Sequence, residues 1–182
     1  MELIILHGTG GSPEGNWFPW LKNLINAEGR DTAYVPRLPT PENQSVENWF
    51  KALSQQTPPI GKDTVLIGHS CGATFMLHIL ENLSEPVSKS IFVSGFAHKL
   101  GNEWFDNLNR TFLEHDFDWE KIKKNMGQAT LFYGDNDPYV PREEANFLSQ
   151  KLAVPLTIIP NGGHLNAEFG YTEFPEILKV LK

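Results

Sequence analysis

The sequence Gly68-His69-Ser70-Cys71-Gly72 stands between a short apolar run at 64–67 and an apolar segment with helical spacing at 73–83. A G-x-S-x-G sequence at a strand-to-helix junction is typical of a nucleophile elbow, the sharp turn that presents a serine hydroxyl at the end of a strand. The flanking glycines suit this turn because they remove side chains that would collide with the neighbouring strand and helix. The alternative interpretation is a tight turn in which the serine side chain caps the helix.

Six short apolar runs recur along the chain, and most are continuous rather than alternating, which indicates strands covered on both faces. The predicted strands are 3–6, 32–35, 64–67, 90–94, 129–133 and 156–159. The predicted helices are 17–27 with Asn16 as N-cap, 46–56 after Ser45, 73–83, 142–152 after Pro141, and 173–181. Residues 99–126 predict one or two short helices, with Asp118 as the cap of 119–126. Because strands alternate with helices, we expect a three-layer α/β/α sandwich around a mostly parallel six-stranded sheet.

The composition is that of an ordinary globular protein: 182 residues, 40% hydrophobic and 20% charged, which predicts a single domain over 1–182. Twenty-two acidic against 15 basic residues give a net charge of −7. This argues against nucleic-acid binding, which needs clustered positive charge. The one cysteine, Cys71, excludes an internal disulfide and a cysteine-rich zinc site. Without a visible signal peptide or an apolar run of about 20 residues, we expect a cytoplasmic protein that does not bind membranes.

A serine hydroxyl becomes a nucleophile only when a base takes its proton. Among the six histidines, His164 lies in a glycine-containing loop directly after the last predicted strand, where its ring can reach the carboxyl edge of the sheet. The segment Gly134-Asp135-Asn136-Asp137 follows the fifth strand and offers two carboxylates to orient that base. We prefer Asp137, because an Asx turn at the strand end is a sufficient explanation for Asp135. The sequence thus places Ser70, the acid and the base each after a strand.

The first loop, His7-Gly8-Thr9-Gly10-Gly11, follows the first predicted strand and is rich in glycine. Glycines allow backbone N–H groups to approach a substrate oxygen closely, as an oxyanion hole requires. We assign one oxyanion donor to the N–H of Cys71, the residue after the serine, and the second to the N–H of Thr9, with Gly10 as the alternative. A phosphate-binding loop is disfavoured because neither Gly-Lys-Ser/Thr nor G-x-G-x-x-G occurs.

These motifs together resemble the family of small serine hydrolases related to YdeN and retinoblastoma-binding protein 9, within the α/β-hydrolase superfamily. The resemblance spans nearly the whole chain and rests on WFPWL at 17–21, GHSCG at 68–72, VSGFA at 93–97, DPYVP at 137–141 and GGH at 162–164. It implies a compact α/β-hydrolase fold without a large cap domain. By the match, Ser70 is the nucleophile, Asp137 the acid and His164 the base, in the chain order typical of this superfamily. Cys71 departs from the apolar residue that is usual there, although the backbone N–H is the group that acts.

We therefore expect an enzyme that hydrolyses a small carboxylic ester, a thioester or an activated amide through an acyl-enzyme, with no metal or organic cofactor. A protein-interaction module on the same fold and an acyltransferase are the alternatives, and beyond a small-molecule ester no partner is indicated.

Candidates for a substrate pocket are Gly10, Trp17, Phe96 and Trp104, although core or surface packing is the preferred explanation for each aromatic residue taken alone. Phe96 is the best of these candidates because it follows the fourth predicted strand. The predicted elements and loops use nearly all the residues, so only 99–126 and the loop at 8–16 remain to cover the site. We expect a partly open site that accepts small or exposed esters.

Overall fold

Six parallel strands form the central sheet of the protein in a computed structural model, which describes residues 1–181. The strands are β1 (Glu2–Leu6), β2 (Thr32–Tyr34), β3 (Thr64–His69), β4 (Lys89–Val93), β5 (Gln128–Gly134) and β6 (Leu156–Ile159). Their order across the sheet is β2-β1-β3-β4-β5-β6. The strand order reverses between β1 and β3, and in parallel sheets the loops that leave the carboxyl ends of such a pair border a crevice. The loops after β1 and β3 are the two that the sequence marks with glycine and serine.

Helices cover both faces of the sheet. They are α1 (Phe18–Ala27), α2 (Val46–Gln56), α3 (Cys71–Asn82), α4 (Glu103–Leu108), α5 (Arg110–Leu113), α6 (Trp119–Asn125), α7 (Arg142–Leu152) and α8 (Pro175–Leu181), with a 3-10 turn at Ala167–Phe169. None of the helices within residues 1–181 has the length and apolar character needed to span a lipid bilayer.

The core is divided by the sheet into two apolar clusters. Side chains of α2, α3, α6 and α7 pack in one cluster, and those of α1 and α8 pack in the other. Strand β1 contributes Ile4 and Leu6 to the first cluster, and Leu3 and Ile5 to the second. Both faces of the strand are therefore buried, which explains the continuous apolar runs and confirms the three-layer α/β/α architecture.

Several helix boundaries follow from local chemistry. Helix α2 has the predicted bounds, and the Ser45 hydroxyl caps it by accepting the N–H of Asn48 at 3.1 Å. The predicted cap of α6 is also present, since the Asp118 carboxylate accepts the N–H of Lys121 at 3.1 Å. These caps were predictable because the capping side chain and the backbone N–H that donates to it lie within three residues of each other.

Two expectations about the helices are wrong. Asn16 does not cap α1: its side-chain oxygen accepts the N–H of Ala167 at 3.0 Å, and Trp17 occupies the cap position without a side-chain bond. The region expected to hold one or two short helices holds three, α4, α5 and α6. The number of helices was not predictable from local sequence, because such short helices depend on tertiary packing against α3 and beside the cleft rather than on intrinsic helix propensity.

Candidate active site

Ser70 occupies the turn between β3 and α3. Its backbone has φ 56° and ψ −127°, a sparsely populated conformation that costs about 1–3 kcal/mol and persists only where the surroundings enforce it. The Ser70 N–H is held by the Val93 carbonyl of β4 at 2.9 Å. Within the described residues the Ser70 side chain makes no capping bond to α3, so the alternative interpretation as a capping serine is wrong.

The two glycines of the turn are required by close packing. A Cβ atom on Gly72 would lie 2.2 Å from the carbonyl oxygen of Leu6 on β1, and one on Gly68 would lie 2.6 Å from both the Gly72 carbonyl oxygen and Met76 Sδ. Helix α3 therefore begins directly against the neighbouring strand. This is the collision for which the sequence pattern predicted glycine.

His164 and Asp137 are brought together across 27 residues of sequence. His164 Nδ1 lies 2.8 Å from Asp137 Oδ2, and the Asp137 side chain is completely buried. The other carboxylate oxygen accepts the N–H groups of Tyr139 at 2.9 Å and Val140 at 3.0 Å. Because a carboxylate only accepts, it places the proton on Nδ1 of the neutral imidazole and leaves Nε2 as the basic nitrogen.

Asp135 has a different partner from Asp137. Its Oδ1 accepts the backbone N–H of Asn161 at 2.7 Å, and Asn136 Oδ1 accepts the N–H of Gly163 at 2.7 Å. Three consecutive side chains thus bind the loop that carries His164, and only the third reaches the imidazole. The geometry separates the two carboxylates that the sequence left as alternatives: Asp137 orients the ring, and Asp135 holds the loop backbone.

His69, inside the elbow, also holds the loop that carries His164. Its Nε2–H donates to the carbonyl of His164 at 2.9 Å, and the Ser94 hydroxyl donates to that carbonyl at 3.3 Å. Desolvation by burial is the main cause that lowers the pKa of His69 to about 3, with the nearby His164 ring contributing in the same direction. His69 therefore stays neutral and acts as a fixed donor to the loop that carries His164.

The first loop lies against the elbow. A Cβ atom on Gly8 would lie 2.9 Å from Ser70 Cβ and 3.3 Å from Cys71 N. The N–H of Gly10 is already used, since it donates to Thr40 Oγ1 at 2.7 Å. The N–H groups of Thr9 and Cys71 have no acceptor among residues 1–181, so both are available to a ligand.

A cleft of about 570 Å³ opens over Ser70 and His164. Its lining residues are Thr9, Ser70, Leu100, Gly101, Asn102, Trp104, Phe105, Pro138, Tyr139, Val140, His164, Asn166 and Glu168. Trp104 and Tyr139 are 66% and 49% exposed, and the Tyr139 hydroxyl donates to the Glu168 carboxylate at 2.7 Å. The segment at 99–126 forms one wall as expected, whereas the loop at 8–16 contributes Thr9 alone.

Known proteins share both this fold and its sequence pattern. The family model described as serine hydrolase matches residues 3–182. The chain belongs to the serine hydrolase family. The enzyme is 30% identical to YdeN of Bacillus subtilis (strain 168), over 99% of this chain and 94% of YdeN. It is 25% identical to the serine hydrolase RBBP9 of Rattus norvegicus, over 100% of this chain and 94% of that protein.

A solved structure gives the same result for the fold. The crystal structure of the ydeN gene product from B. subtilis superposes with a TM-score of 0.89 at 30% identity, covering 99% of this chain and 96% of the other. The resemblance found in the sequence motifs is therefore confirmed, as are the α/β-hydrolase fold and the assignment as an enzyme of the hydrolase class.

Three of the expected pocket residues of this serine hydrolase lie outside the cleft. Trp17 is fully buried, donates its indole N–H to the Leu165 carbonyl at 3.1 Å and packs in the core on the α1 side of the sheet. Phe96 is also fully buried, in the opposite cluster, and Gly10 is held by Thr40 and does not line the cleft. Trp104, by contrast, lines the cleft.

Sequence reasoning missed the polar residues that support the site. Asn136 had a weak local signal, since it stands between the two carboxylates that flank it. Gln44 and Asn109 had none: their side chains meet Thr9, which is 35 and 100 residues away along the chain. Such contacts become visible only when the chain is folded.

Proposed function

We propose that this serine hydrolase cleaves small carboxylic esters through an acyl-enzyme formed on Ser70. The observation that carries the proposal is the 2.8 Å contact of His164 with the buried carboxylate of Asp137, on the same cleft as a serine held in a strained turn. This arrangement supplies a nucleophile, a base with a defined tautomer and a group that stabilises the imidazolium.

The chemistry proceeds in two half-reactions. His164 Nε2 takes the Ser70 proton as the serine oxygen attacks the ester carbonyl, and the resulting oxyanion accepts the N–H groups of Thr9 and Cys71. The imidazolium then protonates the leaving alcohol, and the C–O bond breaks to leave an acyl-serine. Water, deprotonated by His164, attacks the acyl carbon, and the proton returns to Ser70 as the carboxylic acid leaves.

The shape of the cleft supports a small substrate. One wall is formed by short helices and loop rather than by a separate cap domain, and the mouth is flanked by the exposed rings of Trp104 and Tyr139. These two rings offer apolar surface on either side of a short acyl chain or an aryl group, and no cap domain covers the rest of a long chain. Thioesters and activated amides present the same carbonyl geometry and are the other substrates to compare.

A fluorophosphonate probe tests the nucleophile directly. We expect stoichiometric labelling of the native protein at Ser70, and neither labelling nor turnover of p-nitrophenyl acetate in Ser70→Ala, with an unchanged circular dichroism spectrum. The native enzyme should have a higher kcat/KM for the acetate than for the octanoate ester. Full turnover by Ser70→Ala would refute the role of the serine, and a strong preference for the octanoate would refute the small substrate.

A further inference from the structure

We propose that Asn109 is a positioning residue that holds both backbone N–H donors of the oxyanion hole in place. The inference rests on the proposed function of the cleft. A single atom, Asn109 Oδ1, accepts the Thr9 hydroxyl at 2.9 Å and the Cys71 thiol at 2.8 Å. Thr9 and Cys71 are the two residues whose backbone N–H groups face the developing oxyanion, so their side chains are anchored at one point.

Asn109 is itself held by burial and by hydrogen bonds to its own helices. Its side chain is completely buried at the junction of α4 and α5, and its Nδ2 donates to the Phe105 carbonyl at 2.9 Å. Its backbone N–H donates to the same carbonyl at 3.0 Å, and its own carbonyl accepts the N–H of Leu113 at 3.1 Å. An acceptor that is fixed from both sides transmits its position to the groups that donate to it.

A third donor ties the network to the loop before α2. Gln44 Nε2 donates to Asn109 Oδ1 at 2.7 Å and to Thr9 Oγ1 at 2.9 Å. The Thr40 hydroxyl donates to Gln44 Oε1 and accepts the Gly10 N–H, which continues the network along the first loop. The first loop, which would otherwise be mobile because of its glycines, is thus held by side-chain bonds to Asn109 and Gln44.

The thiol of Cys71 is suited to this role. Burial raises its pKa to about 12, so the thiol stays protonated and its S–H group donates a hydrogen bond to Asn109 Oδ1. The resemblance to related hydrolases gave no reason for a cysteine here, and the contact with Asn109 supplies one. The side chain of Cys71 fixes the first residue of α3, and with it the direction of the backbone N–H.

Oxyanion stabilisation depends on donors that are already aimed at the position where charge develops. A displacement of about 1 Å in such a donor costs on the order of 100-fold in rate. Loss of Asn109 removes the common anchor of Thr9 and Cys71, while the nucleophile, His164 and the cleft walls keep their own supports. We therefore expect a loss that falls on kcat rather than on KM, because the oxyanion forms only in the transition state.

The test compares Asn109→Ala with Asn125→Ala, using p-nitrophenyl acetate. Asn125 is a matched control, since it is also buried and donates to the carbonyls of Leu80 at 2.8 Å and Leu83 at 2.9 Å, but it joins α6 to α3 outside the cleft. We expect Asn109→Ala to lower kcat by about 10- to 100-fold with KM within about twofold. Asn125→Ala should lose stability in urea unfolding but retain kcat.

The hydroxyl of Thr9 provides a second test if Asn109→Ala does not fold. Thr9→Val keeps the shape but cannot donate to Asn109, and Thr9→Ser restores the donor. We expect a fall of about tenfold in kcat for the valine variant and recovery of most of that loss by serine. In a foldable Asn109→Ala background, Thr9→Val should cause little further loss, because both changes remove the same contact.

The outcomes separate this inference from the proposed function. If the native protein neither labels with the fluorophosphonate probe nor hydrolyses the ester, the proposed function fails. If the native enzyme is active and a folded Asn109→Ala variant keeps its kcat, or Thr9→Val equals the native enzyme, the positioning role of Asn109 is refuted while the function stands.

Discussion

At the scale of single residues, the site depends on which backbone or side-chain atoms each carboxylate reaches. Asp137 accepts two backbone N–H groups and the His164 ring N–H, whereas Asp135, two residues earlier, accepts the backbone N–H of Asn161. The full burial of the Asp137 side chain excludes water from its contact with the imidazole. The two acids are therefore chemically alike but have different roles in the proposed mechanism.

Replacement of each acid by asparagine distinguishes these roles. In Asp137→Asn the amide can donate to Nδ1 and so favours the wrong tautomer, which moves the proton onto Nε2. We expect kcat to fall by about 10³- to 10⁴-fold. In Asp135→Asn the amide oxygen still accepts the Asn161 N–H, so the loss should be far smaller. The test is the kcat of each variant for p-nitrophenyl acetate. Equal losses in both variants would contradict the assignment of Asp137, rather than Asp135, as the residue that orients the His164 ring.

At the scale of elements, the loop that carries His164 is packed directly against the end of β5. A Cβ atom on Gly134 would lie 2.1 Å from the Gly163 carbonyl oxygen and 2.9 Å from the Gly163 nitrogen. The positive φ of 54° at Gly163 completes this tight approach. The position of the loop that carries His164 is thus determined by contact between two backbones as well as by side-chain bonds.

A methyl group at Gly134 should push the histidine loop away from the strand. We expect Gly134→Ala to lower the free energy of unfolding by about 1–3 kcal/mol and to reduce kcat, because the atom it meets is backbone and cannot rotate aside. Gly61→Ala is the control, since its added Cβ meets only the end of the Glu85 side chain at 3.2 Å. In the control, the free energy of unfolding in urea and the rate of ester hydrolysis should both remain near native values. A Gly134→Ala variant with native activity and stability would contradict the prediction, because the loop that carries His164 would then move aside without cost.

At the scale of the whole molecule, three buried histidines link stability to pH. Desolvation is the largest cause that lowers the pKa of each: His7, His69 to about 3 and His78 to about 4. All three make hydrogen bonds to backbone groups in different parts of the fold, with His7 Nε2 accepting the Leu38 N–H and His78 Nε2 donating to the Phe112 carbonyl. In the native protein they are neutral at pH 7.

The sign of the pH dependence follows from these shifts. The unfolded chain protonates His7, His69 and His78 as the pH falls below about 6.5, whereas their lowered pKa values keep them neutral to lower pH in the native chain. The unfolded state then binds more protons and the native state loses stability. Stability is full above about 6.5 and falls towards the folded pKa values. Each histidine contributes up to about 1.4 kcal/mol per pH unit in that interval.

Urea unfolding at pH 7 and pH 5 measures this effect. We expect the free energy of unfolding to drop by about 2 kcal/mol for each of His69 and His78 over that range, and His7 to add a loss in the same direction. His78→Asn, which retains a side-chain amide donor for Phe112, should reduce the drop by one histidine's share. A native protein equally stable at both pH values would contradict the neutral burial of these side chains.

Features that depend on residues close together in the sequence were predictable, and features that depend on residues far apart were not. The strands and α2 were predictable because apolar continuity and a serine cap act within a few residues. The placement of Ser70, Asp137 and His164 after β3, β5 and β6 was also predictable, because parallel strands present their carboxyl ends at one edge. The two helices α4 and α5 between 103 and 113 were not, since their stability comes from partners elsewhere in the chain, whereas α6 and its Asp118 cap were predicted.

Local sequence patterns were enough to predict the layered α/β fold, the elbow at Ser70 and the loops that carry Asp137 and His164. Only the tertiary structure decided that Asp137 rather than Asp135 meets the imidazole, that Trp17 and Phe96 lie in the core, and that Asn109 joins Thr9 to Cys71. The physical reason is that hydrophobic period and turn chemistry are local. Side-chain partners across the sheet edge depend on how far each loop extends once the strands are packed.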